Sequence, residues 1–123
     1  MYLVKGKVIK GESRGQTLGY PTANIDKRYF KLHPIPKGVY AARTTVDSEK
    51  HHSIVIIGAP FKKNKKEFKI EVYLLKFKGN LRGLLLEAEL VKKLRDLRIF
   101  FSEEELINQI QDDICKAKTI LSN

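Results

Sequence analysis

The chain has 123 residues, of which 42% are hydrophobic and 31% are charged, so a folded globular domain is expected rather than a disordered segment. The lone cysteine, Cys115, excludes an internal disulfide and a cysteine-based metal cluster. The sequence has no signal-peptide pattern and no apolar stretch of about 18 residues, so the expectation is a cytoplasmic protein without a membrane partner.

The net charge of +10 raises the question of a nucleic-acid partner, and the run Lys62-Lys63-Asn64-Lys65-Lys66 is its strongest support. A solvated turn between two strands explains the same run, and a basic surface also attracts ATP and other anions. The sequence lacks three other signs of nucleic-acid binding: aromatic residues interleaved with the basic ones, a helix-turn-helix pattern, and the spacing of zinc ligands. Nucleic acid is therefore not an expected partner.

The first predicted element is a strand over residues 2–10, in which Gly6 indicates a bulge or a barrel corner. A loop follows that contains Gly11, Gly15 and the run 19–24, Gly-Tyr-Pro-Thr-Ala-Asn. Glycines let a backbone approach a ligand closely, while the proline restricts itself and the residue before it.

The run 19–24 also carries two short oxygen-bearing side chains, Thr22 and Asn24. Oxygens of this kind suit Mg²⁺ or a phosphate-bound water, so one interpretation is a phosphate-handling loop. The run has neither the Walker A pattern nor the dinucleotide-binding fingerprint. A tight turn between two strands is the other interpretation.

Residues 25–37 include His33-Pro34-Ile35-Pro36, a pattern that predicts a loop over one end of the fold. Four later segments are β-prone: residues 38–46, 53–57, 67–76 and 84–91. The segment 53–57 is apolar throughout and is suited to a strand covered on both faces. Ser102 and Glu105 form a capping box that starts a helix with an apolar stripe: Leu106, Ile107, Ile110, Ile114 and Leu121.

Several short strands followed by one terminal helix predict a mainly β fold. The expected form is a closed antiparallel barrel of about six strands, of Greek-key type, with the C-terminal α-helix packed outside. The chain is expected to form one domain over residues 1–123, since the sequence contains no internal repeat or interdomain linker.

Glu71 is the next candidate for chemistry. Along residues 67–76, Ile70 and Val72 alternate with Lys69, Glu71 and Tyr73, so Glu71 is assigned to the polar side of its strand. From the residues alone, an exposed glutamate beside a lysine such as Lys69 is the simpler interpretation.

The run Gly-x-x-x-Gly-x-x-Leu-Gly-Tyr-Pro-Thr-Ala-Asn at 11–24 resembles the signature of the ATP-dependent riboflavin kinases, or flavokinases. In bacteria this domain also forms the C-terminal half of bifunctional FAD-synthesis proteins. Four later segments resemble the family in the same order: residues 37–41, 57–61, 70–74 and 94–113. The similarity covers essentially the whole chain, and the family's barrel agrees with the fold expected from the pattern.

The resemblance implies transfer of the γ-phosphate of ATP to the 5′-hydroxyl of riboflavin, which gives FMN. Glu71 matches the family's catalytic base. The implied ATP-binding residues are Gly11, Gly15, Gln16, Thr22 and Asn24. Thr22 and Asn24 would lie near Mg²⁺, with Mn²⁺ and Zn²⁺ as alternatives. The implied flavin-binding residues are Arg95, Arg98 and Phe100.

Four departures from the family pattern keep a second interpretation open. Gln16 stands where the family usually has Arg or Lys, Arg82 where it has an aromatic residue, and Leu97 where it often has Glu. Ile56-Ile57 replaces the usual Asn or Ser before Gly58. A catalytically weak or inactive flavin- or nucleotide-binding regulatory domain of the same fold is therefore the alternative to a working kinase. The chain would be a stand-alone kinase or a domain of a longer protein with an FMN adenylyltransferase.

Overall fold

The computed structural model describes residues 1–9, 19–59, 69–77 and 79–122. Its strands are β1 (Tyr2–Ile9), β2 (Ala23–Ile25), β3 (Gly38–Val46), β4 (Glu49–Ala59), β5 (Lys69–Leu74) and β6 (Leu85–Arg95). Its helices are α1 (Arg28–Leu32) and α2 (Glu103–Leu121). The strands join in the order β1-β2-β5-β4-β3-β6 and close into a barrel in which every neighbouring pair is antiparallel. The predicted fold is confirmed.

The barrel has two apolar layers, one inside it and one on its outer face. The inner cluster includes Ile25, Val55, Ile57, Ile70 and Val72, all nearly or fully inaccessible to solvent. The outer cluster lies under α2 and includes Val39, Ile54, Ala117 and Leu121. Strand β4 contributes to both layers, which confirms that residues 53–57 form a strand covered on both faces.

Helix α2 begins as its capping pattern predicts. The Ser102 hydroxyl accepts a hydrogen bond from the Glu105 backbone N–H at 3.1 Å, and the Glu105 carboxylate accepts one from the Phe101 backbone N–H at 3.1 Å. The helix packs against β3, β4 and β6. Neither helix in the described part of the chain has the length and apolar character needed to cross a bilayer.

Three local features differ from the expectations. Residues 23–25, assigned to loop segments, form the short strand β2, which pairs with β1 and β5. Residues 28–32, assigned to a loop, form the short helix α1, because the prolines constrain only the backbone after Leu32 while Phe30 is buried in the inner cluster. Gly6 makes no bulge and keeps the regular β1–β6 register opposite Leu86. A Cβ at Gly6 would lie 2.5 Å from the carbonyl oxygen of Asp26, so the glycine permits a close approach of two backbones.

Candidate functional site

A row of directly paired residues crosses the outer face of the barrel. Asn24 on β2 and Ile56 on β4 both lie opposite Glu71 on β5. Directly opposite residues share a face, and Ile70 and Val72 point into the barrel, so the Glu71 side chain points outward.

The row continues around the barrel to Arg95. Val39 on β3 lies opposite Ile56, and Arg95 at the end of β6 lies opposite Val39. Arg95 is therefore three strands from Glu71, which is about 14 Å measured along the curved sheet at the usual strand spacing. The predicted catalytic and flavin-binding residues thus stand at two ends of one row, with the apolar side chains of Val39 and Ile56 between them.

Glu71 is buried, with 7% of its surface exposed. Burial raises the pKa of its carboxyl from 4.5 to about 7, while the positive charge of Lys69 and the hydroxyl of Thr22 oppose that rise. The prediction that Glu71 points away from the inner core is confirmed. The simpler interpretation of an exposed strand glutamate is wrong, because other parts of the chain cover this section of the outer face.

Thr22 and Asn24 place two unsatisfied oxygens beside this carboxyl. Thr22 Oγ1 and Asn24 Oδ1 are buried and have no hydrogen-bond partner within the described residues. Thr22 Oγ1 lies near enough to Glu71 to affect its pKa, although the two groups form no hydrogen bond of regular geometry. A buried polar atom without a partner lowers the stability of the folded state by about 1–3 kcal/mol. A bound ligand that contacts these two oxygens would remove that cost.

The donor set fits a hard cation such as Mg²⁺ that keeps water and phosphate oxygens among its ligands. Within residues 1–9, 19–59, 69–77 and 79–122, no group of three or more His, Cys, Asp or Glu side chains could hold a metal. A cation beside Thr22 and Asn24 would therefore need oxygens from a bound nucleotide.

Part of the predicted nucleotide site lies outside the part of the chain that the structure describes. Gly11, Gly15 and Gln16 lie outside the described residues, as does the basic run 62–66. The ATP-binding roles of these three residues stay predictions.

The predicted flavin residues form a second cluster around α2. The Arg95 guanidinium donates from Nε to Asp113 Oδ1 at 2.9 Å and from Nη2 to Asp113 Oδ2 at 2.8 Å. Arg98 Nη1 donates to Gln109 Oε1 at 2.8 Å. The Phe100 ring lies near both guanidinium carbons, with centroid distances of 5.8 Å to Arg95 and 5.0 Å to Arg98. All three predicted flavin residues therefore lie together.

Sequence reasoning missed the helix residues that support these arginines. Asp113 is buried, and it and Gln109 are one helical turn apart, joined by a hydrogen bond from Gln109 Nε2 to Asp113 Oδ1 at 3.0 Å. An acidic residue next to the apolar stripe, between Ile110 and Ile114, was the available signal. This signal does not identify Asp113 as a partner of Arg95, because a helix pattern does not show which strand the helix packs against.

A tyrosine pair connects α2 with the segment that carries Thr22. The rings of Tyr20 and Tyr73 meet edge to face with centroids 6.2 Å apart, and Gln111 Nε2 donates to the Tyr20 hydroxyl at 3.4 Å. Tyr73 follows Glu71 on the same face of β5. The helix therefore contacts the segment just before Thr22 as well as the arginines at the end of β6.

Besides Ile56 and Ile57 on β4, two departures from the family pattern lie within the described residues. Leu97 belongs to the outer apolar cluster and lies against Gly58, where an added Cβ would come within 2.9 Å of Leu97 Cδ1. Gly58 has a φ of +106°, which other residues rarely adopt. Arg82 is exposed in a turn, and its backbone N–H donates to Asn80 Oδ1 at 3.0 Å. Leu97 thus packs the loop after β6 onto the barrel.

Comparison with known proteins gives one consistent family. A family model for riboflavin kinase, named Flavokinase, matches residues 1–121. The bifunctional riboflavin kinase/FMN adenylyltransferase of Listeria monocytogenes is 45% identical over 76 residues, which cover 60% of this chain and 24% of that protein. This chain thus aligns with about a quarter of the Listeria protein.

Two solved structures are similar over most of the chain. The riboflavin kinase of Trypanosoma brucei has a TM-score of 0.72 at 25% identity, covering 98% of this chain and 77% of that one. A Streptococcus pneumoniae protein described as a macrolide-efflux protein has a TM-score of 0.80 at 27% identity, covering 94% of this chain and 38% of that one. With its barrel, its outer-face row and a family match over nearly its whole length, the chain belongs to the flavokinase (riboflavin kinase) family.

Proposed function

We propose that this domain transfers the γ-phosphate of ATP to the 5′-hydroxyl of riboflavin and so forms FMN. The observation that carries the proposal is the buried Glu71 carboxyl beside two unsatisfied oxygens, on Thr22 and Asn24. Transfer of a nucleotide phosphate to a hydroxyl uses a group that orients the hydroxyl and accepts its proton, and a cation that neutralises the phosphate charge; Glu71 is a candidate for the first, and the oxygens of Thr22 and Asn24 are candidate ligands for the second.

Glu71 acts as the general base in this proposal. Its carboxylate aligns the attacking hydroxyl and accepts the proton that the hydroxyl loses. A base with a pKa of about 7 is partly deprotonated at neutral pH and is still basic enough to accept a proton. An exposed glutamate with an ordinary pKa would be a weaker base.

Thr22 and Asn24 hold the nucleotide side of the reaction, together with Gly11, Gly15 and Gln16. The side-chain oxygens of Thr22 and Asn24 would bind Mg²⁺, or Mn²⁺ or Zn²⁺ in its place, and the phosphates of ATP would complete the ligand set. The cation supplies neutralisation of the charge on the phosphate oxygens.

Arg95, Arg98 and Phe100 bind the flavin at the other end of the row. A guanidinium can stack on a flat ring or form paired hydrogen bonds with phosphate, and Phe100 adds an aromatic surface.

Replacing Thr22 by valine tests the nucleotide end. Valine keeps the shape and removes a buried hydroxyl that has no partner among the described residues, so stability is expected to be unchanged or higher. Affinity for ADP in the presence of Mg²⁺ is expected to fall about tenfold, while riboflavin affinity stays unchanged. Calorimetric titration and thermal unfolding measure the two effects. Reduced stability with unchanged ADP affinity would assign Thr22 a structural role instead.

The pH dependence of kcat/KM tests the proposed base. Below pH 7 the Glu71 carboxyl is increasingly protonated, so kcat/KM for riboflavin is expected to fall about tenfold per pH unit. Above pH 7 it is expected to level off. Initial rates between pH 5.5 and about 8.5 give the profile, and a rate independent of pH across that range would contradict the assignment.

A regulatory flavin-binding domain is the second candidate. Its support is Leu97, an apolar residue packed on Gly58 where the family often has a glutamate. The two candidates separate in one assay of FMN formation with riboflavin, ATP and Mg²⁺. Turnover supports the kinase, whereas tight flavin binding without turnover supports the regulatory domain.

We further propose that the domain acts in the cytoplasm, either as a stand-alone kinase or joined to an FMN adenylyltransferase. The Listeria relative is named as both a riboflavin kinase and an FMN adenylyltransferase, and FMN is the substrate of the second activity. Riboflavin and ATP are the small-molecule partners.

A further inference from the structure

We propose that Asp113, assisted by Gln109, is a positioning residue of the flavin site, which orients Arg95 and Arg98 from helix α2. The inference rests on the proposed flavin-binding role of the two arginines. It adds two helix residues that touch neither substrate and act through the guanidinium groups.

The contact between Asp113 and Arg95 fixes the plane of one guanidinium. Both carboxylate oxygens of Asp113 accept hydrogen bonds from Arg95, through Nε and Nη2. Arg95 Nη1 also donates to the backbone oxygen of Asp96 at 3.1 Å. A paired side-on contact of this kind holds the group against rotation, which a single hydrogen bond does not.

The fixed guanidinium keeps donors for a ligand. The three contacts use one N–H on each nitrogen of Arg95. One N–H on Nη1 and one on Nη2 have no partner within the described ranges. Donors of this kind on a guanidinium can bind a phosphate or carbonyl oxygens.

Gln109 carries the same orientation to Arg98. Its amide donates to Asp113 and its carbonyl accepts from Arg98, so the three side chains form one chain of hydrogen bonds. Phe100 lies near both guanidinium groups. The connected side chains of Arg95, Arg98, Gln109 and Asp113 thus carry two positive charges and one negative charge, a net positive charge that favours an anionic ligand.

Attachment of α2 to the barrel is a weaker explanation of the buried carboxylate. Val39, Ile54, Ala117 and Leu121 already form an apolar contact between helix and barrel. The Leu121 carbonyl also accepts a hydrogen bond from Arg43 at 3.2 Å. A buried ion pair adds little stability over an apolar pair of similar volume, whereas fixing a guanidinium needs a carboxylate.

The test compares Asp113→Asn with Asp112→Asn on the same chain. Asp112 is the adjacent helix residue, and its carboxylate forms an exposed ion pair with Lys116 at 3.0 Å. Quenching of flavin fluorescence measures the affinity for riboflavin and FMN, and calorimetry measures the affinity for ADP with Mg²⁺. All titrations are made well below the unfolding temperature of each variant.

We expect Asp113→Asn to weaken FMN binding about tenfold and to leave ADP affinity unchanged, since one charge-assisted pair is lost at the flavin end only. Asp112→Asn is expected to change neither. In a double-mutant cycle, Arg95→Gln is expected to cost much less when Asp113 is already asparagine. Equal losses for FMN and ADP, or additive effects with Arg95→Gln, would overturn the inference and leave a structural role for Asp113.

If Asp113→Asn does not fold, Gln109→Leu tests the other half of the proposal, because it removes the link to Arg98 and keeps the contact between Arg95 and Asp113. FMN affinity about threefold weaker supports the inference, and unchanged affinity overturns it. Flavin binding without turnover in the unmodified chain would overturn the proposed kinase activity alone. No flavin binding at all would overturn both.

Discussion

Replacing Glu71 by glutamine is expected to lower kcat for FMN formation about a thousandfold. Glutamine has nearly the same shape and still accepts a hydrogen bond from the substrate hydroxyl, but it cannot take up the proton. Affinities for riboflavin and ADP are therefore expected to stay within about twofold of the unmodified chain. Initial rates with riboflavin, ATP and Mg²⁺, measured beside fluorescence titrations, separate these two quantities.

Glu89→Gln is the matched control for this experiment. Glu89 lies on β6, and its half-exposed carboxylate pairs with Lys50 at 3.2 Å. Its replacement removes a surface ion pair of the kind that contributes at most about 1 kcal/mol, and kcat should not change. A Glu71→Gln protein that keeps more than about a tenth of the normal rate would show that another group accepts the proton.

Glu71→Gln is also expected to stabilise the folded state, by an amount that depends on pH. The Glu71 carboxyl has a pKa of about 7 in the folded state and 4.5 as the ordinary value. Below pH 4.5 the group is protonated in both states and costs nothing. As pH rises from 4.5 to 7, the unfolded chain releases its proton first, so the folded state loses stability.

The full loss applies above pH 7 and amounts to about 3 kcal/mol. Glutamine carries no charge, so Glu71→Gln should be more stable than the unmodified chain by about this amount near pH 8 and nearly equal to it near pH 4.5. Urea unfolding at the two pH values measures the difference. A gain of the same size at both values, or no gain near pH 8, would show that Glu71 does not carry a raised pKa.

A loss of kcat together with a gain in stability would show that the buried Glu71 carboxyl serves catalysis and lowers the stability of the fold. A residue that served only the fold would lower stability when replaced. Glu71 is expected to do the opposite while turnover falls.

The sequence predicts the barrel and α2 because their signals are local. Alternation along β5 places Glu71 on the outer face, and the pattern of Ser102 and Glu105 predicts where α2 begins. The burial of Glu71 could not be read from the strand, since the groups that cover it come from elsewhere in the chain. Alternation indicates which face a side chain occupies, and it does not indicate whether that face is covered.

The flavin end shows the same limit. The flavin-binding role of Arg95 and Arg98 was predicted from the resemblance to a family. From composition alone, a basic surface loop explains the two arginines equally well. Their contacts with Asp113 and Gln109 depend on how α2 lies across β6, which is a tertiary arrangement. α1 was not predicted, because the two prolines indicate a loop and the burial of Phe30, which precedes them, depends on its contact with the barrel.

The most direct test of the kinase assignment follows label from ATP labelled in its γ-phosphate, in the presence of riboflavin and Mg²⁺. We expect the unmodified chain to transfer the label to riboflavin and give labelled FMN, and Glu71→Gln to bind riboflavin equally well while transferring almost none. Riboflavin bound tightly by the unmodified chain, with all label remaining in ATP, would contradict the kinase assignment and favour a regulatory flavin-binding domain.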